Sequence, residues 1–357
     1  MTTDRTESPS TPTMEYRRLG SAGCAVSAFT LGTMTFGNET DEAGSREQLD
    51  AFVAAGGTFI DTADVYNAGV SESIIGRWLA DRGPAVRDQI VLTTKARFPM
   101  GDGPNDLGLS RRHLQTAVRA SLTRLGVDTL DLYQVHAYDP LTPLEETLRA
   151  LDDMVRSGTV RYIGLSNFTG WQIQKAVAVA RELGLNLPVT LQPQYNLLVR
   201  EIEWEIVPSA LDAGIGLLPW SPLGGGWLTG KYTQGERPTG ATRLGEDPTR
   251  GVENYDVRSG QQRTWDVLDA VRSVASARGV GMAQVALAWL VDRPGVTSVI
   301  LGARTLTQLQ DNLSAAGLHL DATETALLDT ASDPHPVDYP YGGPGSEQRS
   351  RTIRGGR

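Results

Sequence analysis

The sequence predicts an α/β chain closed into a (β/α)8 TIM barrel, and three observations carry that expectation. One pattern recurs eight times: a short apolar run, a polar break, then an amphipathic helix. The apolar runs barely alternate with polar residues, as parallel strands covered on both faces by helices require. The length, 357 residues, exceeds the commonest domain size but suits a single barrel. A doubly wound open sheet is the alternative that the same alternation allows.

Taken in order, "MTTDRTESPSTPT" (1–13) lacks the apolar core of a signal peptide and reads as a disordered lead. The barrel is expected over 14–332. Within it, before the first strand–helix unit, "YRRLGSAGCAVSAF" reads as a short hairpin, a plug under the barrel. The strand runs are "AFTLG" (28–32), "TFID" (58–61), "IVLTTK" (90–95), "LDLYQVH" (130–136), "YIGLSN" (162–167), "VTLQ" (189–192), "GLLPW" (216–220) and "SVILG" (298–302). In "SRRHLQTAVRASLTRLG", Leu114, Ala117, Val118, Leu122 and Leu125 recur at helical spacing and Gly126 stops the helix. In "LEETLRALDDMVRSG", Leu144, Leu148, Leu151 and Val155 form one stripe that ends at Gly158. The long loop after the seventh strand, about 221–260, is rich in Gly, Pro and Thr, and loops of that length are usually functional. Residues 333–357 have no periodicity and read as a tail or a loosely docked cover.

Composition narrows the function. Apolar residues make up 40% and charged residues 21%, and the net charge of −9 disfavours a general affinity for nucleic acid or anionic membrane. No apolar run is long enough to span a bilayer. The single cysteine, Cys24, cannot form an internal disulfide, so a cytoplasmic location is expected. The histidines at 113, 136, 319 and 335 lack the spacing of a metal site, and no metal is expected.

A barrel gathers its chemistry at the C-terminal ends of its strands. The residues there are Asp61, Lys95, His136, Ser166 with Asn167, Gln192, Trp220, and Gly302 followed by Arg304. A lysine at a strand end inside the mouth needs a carboxylate, and Asp61, one unit back, is its natural partner. Asp64 reads as a solvated loop residue, and His113, His319 and His335 are given no role. Tyr66 follows in the loop after Asp61. A free phenol has a pKa near ~10; an adjacent ammonium held by a carboxylate lowers it. Asp61, Lys95 and Tyr66, with His136 orienting a carbonyl, therefore form a device for protonating a carbonyl oxygen. Nothing in the chain supplies a hydride, so a cofactor must.

Asn167 and Gln192 suit a carboxamide, and Trp220 offers a flat face to an aromatic ring; both fit a nicotinamide. "WSPLGGGWLTGK" brings a hydroxyl, glycine backbone N–H groups and Lys231 to phosphates. Gly225 to Lys231 fits G-x-x-x-x-G-K, but Tyr232 stands where a P-loop needs Ser or Thr, so a nucleoside triphosphatase is rejected. No G-x-G-x-x-G supports a Rossmann dehydrogenase. In "SVILGARTLTQLQDNL", Gly302 permits close approach, Thr305 caps a helix, and Arg304 sits beside that N-terminus. An adenosine 2′-phosphate fits there, favouring NADPH over NADH; a plain surface arginine is the other reading.

Over Tyr16 to Ser332 the chain resembles the aldo-keto reductases, through "LGTMTFG", "FIDTADVY", "TTK", "DLYQVH", "GLSN", "QPQYNLL", "PWSPLGGGWLTGKY" and "LGARTLTQLQDN". It is similar to the bacterial branch that also resembles potassium-channel β-subunits. The resemblance implies an NADP(H)-dependent reductase of aldehydes or ketones, with a tetrad at Asp61, Tyr66, Lys95 and His136. It implies cofactor contacts at Thr33, Met34, Asp61, Ser166, Asn167, Gln192, Trp220, Ser221, Pro222, Leu223, Gly224, Gly226, Lys231, Gly302, Arg304, Gln308, Asp311 and Asn312. The substrate is expected to be a small carbonyl compound or alcohol, lined by aromatics such as Phe36, Tyr138, Trp171 and Trp227. An NADPH-binding, redox-sensing subunit with slow turnover is the rival expectation, and an oligomer is left open. A metal-dependent barrel isomerase lacks a ligand cluster.

Overall fold

The computed structural model of the chain describes residues 13–240, 242–249, 251–343 and 345. The expected lead 1–13, apart from Thr13, and the tail beyond 345 lie outside the described residues.

Strands β1 (Tyr16–Arg18) and β2 (Ala25–Ser27) form the antiparallel hairpin. Its Leu19 and Val26 are fully buried against Phe59, Leu132, Val189, Leu218 and Ile300, so the hairpin plugs the N-terminal end of the barrel as expected. The approach is tight at the turn. Gly20 has φ +56, and a Cβ there would lie 1.9 Å from the Val189 carbonyl oxygen, so only glycine fits.

The eight apolar runs become β3 (Phe29–Gly32), β4 (Phe59–Asp61), β5 (Val91–Ala96), β6 (Leu130–Val135), β7 (Val160–Ser166), β8 (Thr190–Gln192), β9 (Gly216–Leu217) and β10 (Val299–Leu301). They pair in parallel in the order β10-β3-β4-β5-β6-β7-β8-β9. A parallel bridge between Leu217 and Val296 closes the ring, with the Ile300 N–H donating to the Pro219 carbonyl at 3.0 Å. The open sheet is thereby excluded.

Helices cover the outside where the spacing placed them. Arg111–Leu125 is capped by the Ser110 hydroxyl and stops at Gly126 in the left-handed region (φ +66). Leu144–Arg156 buries Leu144, Leu148 and Leu151, and Gly158 follows with φ +77. No single helix among the described residues is long and apolar enough to cross a membrane.

The segment after β9 is not a bare loop. It carries short helical turns at Gly224–Thr229, Arg243–Glu246, Gly251–Glu253 and Tyr255–Ser259. They close around Trp227, which stacks on Tyr255 at 5.4 Å and meets Tyr232 and Trp265 edge-on. Of the expected tail, Tyr341 stacks on Trp204 at 5.2 Å, which docks that part of it onto the segment following β8.

Candidate active site

Register puts the tetrad together. β4 ends on Asp61 and the adjacent β5 carries Lys95 near its own end, so both side chains enter the same mouth. Lys95 has no exposed surface, and its ammonium spends its three donors locally. It bonds Asp61 Oδ2 at 2.7 Å, the Thr62 carbonyl at 2.7 Å and Tyr66 Oη at 3.3 Å. Burial alone pulls the Lys95 pKa down, but Asp61 and Tyr66 outweigh it and the net direction is up. The group is an ammonium at any working pH.

Asp61 Oδ1 accepts from Gln192 Nε2 at 2.9 Å and from Gln134 Nε2 at 3.5 Å. Gln134 was not singled out from the sequence, although it lies two residues before His136 and so points to the same face. The phenol of Tyr66 departs from the expectation of a lowered pKa. Burial pushes it up, Lys95 pulls it down, Asp61 pushes up again, and the balance is a rise. Tyr66 is therefore a protonated acid at neutral pH.

His136 follows β6 and lies 5.9 Å from the Tyr66 ring, centroid to centroid. Its pKa is pushed down to about 2 by burial and by the charges of Lys95 and Arg97. The imidazole is neutral, with Nδ1 buried and unpartnered. Phe98, absent from the sequence reading, packs its ring 4.7 Å from His136.

The proposed nicotinamide end is more self-contained than the sequence suggests. Asn167, at φ +56, donates from Nδ2 to the His136 carbonyl at 2.9 Å and to Ser166 Oγ at 3.1 Å, and accepts from Trp220 Nε1 at 3.0 Å. Ser166 Oγ donates to the Gln192 carbonyl, and Gln192 gives its amide N–H to Asp61. Met34 is exposed at the rim, whereas Thr33 is fully buried with its hydroxyl donating to the Asp61 carbonyl.

At the expected phosphate end, the glycine turn takes conformations that side chains disfavour. Gly224, Gly225 and Gly226 all take positive φ; a Cβ on Gly226 would sit 2.4 Å from Lys231 Nζ, and one on Gly225 would sit 2.8 Å from Glu253. Ser221, between Trp220 and the Pro222–Leu223 turn, also has positive φ and donates to Glu253. Lys231 has its pKa lowered by burial and then by the charges of Arg304 and Arg243, which are near enough to repel it. Across it, a Cβ on Gly302 would meet nothing within 4 Å, and Thr305 caps Leu306–Leu313 as expected. Arg304 Nη2 bonds Glu246 at 2.6 Å, Gln308 caps the Arg304 N–H, Asp311 accepts from Gln284, and Asn312 donates to the Gly302 carbonyl. Clustered cations facing left-handed glycines and an open Gly302 fit a phosphate-bearing dinucleotide.

Three further expectations are corrected. Asp64 is not solvated: it has no exposed surface, its N–H donates to the Lys95 carbonyl, and neither carboxylate oxygen finds a hydrogen-bond partner. Trp227 does not line a pocket, because it is the buried centre of the aromatic knot and donates to the Glu253 carbonyl. Phe36 is likewise fully buried in the core. Tyr138 and Trp171 do stay accessible, packed edge to face at 5.8 Å with Trp171 57% exposed.

Residues 28–333 match the model of the aldo/keto reductase family. The uncharacterized oxidoreductase YrpG of Bacillus subtilis (strain 168) is 39% identical over 88% of this chain and 95% of its own. A probable voltage-gated potassium channel subunit beta of Oryza sativa subsp. japonica is 39% identical over 85% of this chain and 91% of its own. The versiconal hemiacetal acetate reductase of Aspergillus parasiticus is 32% identical, covering 88% of this chain and 96% of that protein.

Proposed function

The chain belongs to the aldo/keto reductase family, and from that premise we propose that it reduces an aldehyde or ketone to an alcohol, reversibly, with NADPH. The observation that carries this reading is the buried Asp61–Lys95–Tyr66 chain with a neutral His136 beside it. When bound, the reduced nicotinamide supplies a hydride to the carbonyl carbon and is itself oxidised. The chain's own residues do the rest.

His136 Nε2 donates a hydrogen bond that orients the carbonyl oxygen. Because the imidazole is neutral, it positions without adding a competing acid. As the carbonyl π pair moves onto oxygen, Tyr66 gives that oxygen its proton, and Lys95 stabilises the tyrosinate left behind. Asp61 fixes Lys95, held in turn by Gln192 and Gln134. Trp220 and Asn167 would flank the nicotinamide, the Ser221–Gly226 turn and Lys231 would hold the pyrophosphate, and Arg304 would take the 2′-phosphate in place of Glu246. Small carbonyl compounds would enter past Tyr138 and Trp171.

The channel-subunit relative favours a second reading, a cofactor-binding regulatory subunit with slow turnover. One assay separates the two: loss of NADPH absorbance with an activated aromatic aldehyde, run beside NADH and Tyr66→Phe. Aldehyde-dependent oxidation that falls by ~10²-fold or more in the variant supports the reductase. NADPH binding with no turnover over varied carbonyls supports the regulatory subunit, and near-normal turnover in a folded Tyr66→Phe refutes the tetrad mechanism.

A further inference from the structure

Beside His136 lies an arginine that the mechanism above does not use. Arg97 immediately follows β5, two residues after Lys95, and is partly buried. Its guanidinium lies 5.1 Å from the Phe98 ring, the same ring that packs on His136, and Nη2 donates to the Tyr138 carbonyl at a long 3.4 Å. It is close enough to His136 for its charge to act on the imidazole.

What sets it apart is what it lacks. Other part-buried arginines pair with carboxylates: Arg124 with Glu72, Arg200 with Glu203, Arg258 with Glu253 and Arg304 with Glu246. Arg97 forms no ion pair among the described residues, its Nε is buried without a partner, and Nη1 bonds no described residue. Asp139 is the carboxylate whose charge it feels, yet Asp139 is committed to the Leu109 and Leu141 N–H groups and the Thr142 hydroxyl. The backbone at Arg97 also takes φ +152, held by the Gly108 N–H on its carbonyl. A side-chain-bearing residue in that region is strained, and such strain gathers at functional positions. A planar, always-charged fork with Nη1 uncommitted beside the reaction mouth is suited to a carboxylate.

We propose that Arg97 selects the substrate, and that the favoured carbonyl compounds carry a carboxylate within reach of the reacting carbonyl. This rests on the reductase reading. The anion is held by Arg97 while Tyr66 and His136 address the carbonyl oxygen, and Tyr138 and Trp171 border the connecting part.

The test compares 3- and 4-carboxybenzaldehyde with their methyl esters, using the full chain and NADPH. The wild type should prefer an acid to its ester by about tenfold or more in kcat/KM, the worth of one charge-assisted hydrogen bond. Arg97→Met should bring that ratio to about one, and Arg97→Lys, which keeps the charge but loses the fork, should hold an intermediate value. Acid and ester turned over alike by the wild type, or a ratio unmoved in Arg97→Met, overturns the proposal and leaves the reductase standing. If Arg97→Met does not fold, the wild-type ratio and Arg97→Lys decide. No reduction of any of the four compounds removes the reductase reading, and this inference falls with it.

Discussion

Replacing Asp64 by Asn removes a carboxylate that the fold encloses away from solvent. Burial disfavours its ionised form, the Glu72 carboxylate adds to that, and the Val65 N–H, Arg124 and Lys95 oppose it. The balance raises its pKa from an ordinary 3.8 to about 7. Between those values the folded protein holds a proton that the unfolded chain has released. Stability therefore falls as pH rises from about 4 to about 7 and is level beyond. At ~1.4 kcal/mol per pH unit, this carboxylate costs the fold about 4 kcal/mol at pH 8 relative to pH 4. Asn does not titrate. The stability of Asp64→Asn minus that of the wild type should thus grow by about 4 kcal/mol between pH 4 and pH 8, while other groups' titrations cancel in the difference. Equilibrium urea unfolding of both proteins at pH 4, 6 and 8 measures it. The functional readout goes with it, because the Asp64 charge also pushes Tyr66 up. Losing that charge should move the alkaline limb of carbonyl reduction to lower pH. A stability difference that stays flat across the range would mean that Asp64 is ionised and well solvated throughout, and the reasoning would fail.

Lys95→Met leaves Asp61 buried with only amide partners, and should lower stability by roughly 3–5 kcal/mol in the same unfolding assay, besides abolishing reduction. The pH–rate profile should show no limb near 6.5, since His136 is held at about 2 and stays neutral. Gly226→Ala, at φ +98 and against Lys231, should cost about 1–3 kcal/mol and weaken NADPH binding measured by fluorescence titration. Trp227→Ala empties the aromatic knot at a cost of about 3–5 kcal/mol, and limited proteolysis should then cut first within 221–260.

The strands, the helix stops at Gly126 and Gly158, the plug hairpin and the Thr305 cap were all legible in the sequence. Each rests on local pattern: apolar runs, helical spacing, a hydroxyl before a helix or a glycine after one. That Asp61, Lys95 and His136 share the barrel mouth was legible for a related reason. A polar residue closing an apolar strand has only the barrel mouth to enter, so chain position already implies spatial position. Where neighbours come from distant units, that logic stops. Asp64 reads as a solvated loop residue until the fold buries it within reach of the Glu72 charge. Trp227 reads as a mouth aromatic until Tyr255 and Trp265 surround it. The Asn167 amide reads as free for a ligand until Trp220 and the His136 carbonyl claim it. Nothing in the sequence singles out Arg97, which the fold leaves without an ion pair among the described residues. Burial, pKa and the availability of a donor are properties of what packs against a group. The sequence by itself determined which side chains the mouth contains, and only the tertiary structure decided which of them are buried, charged or left without a partner.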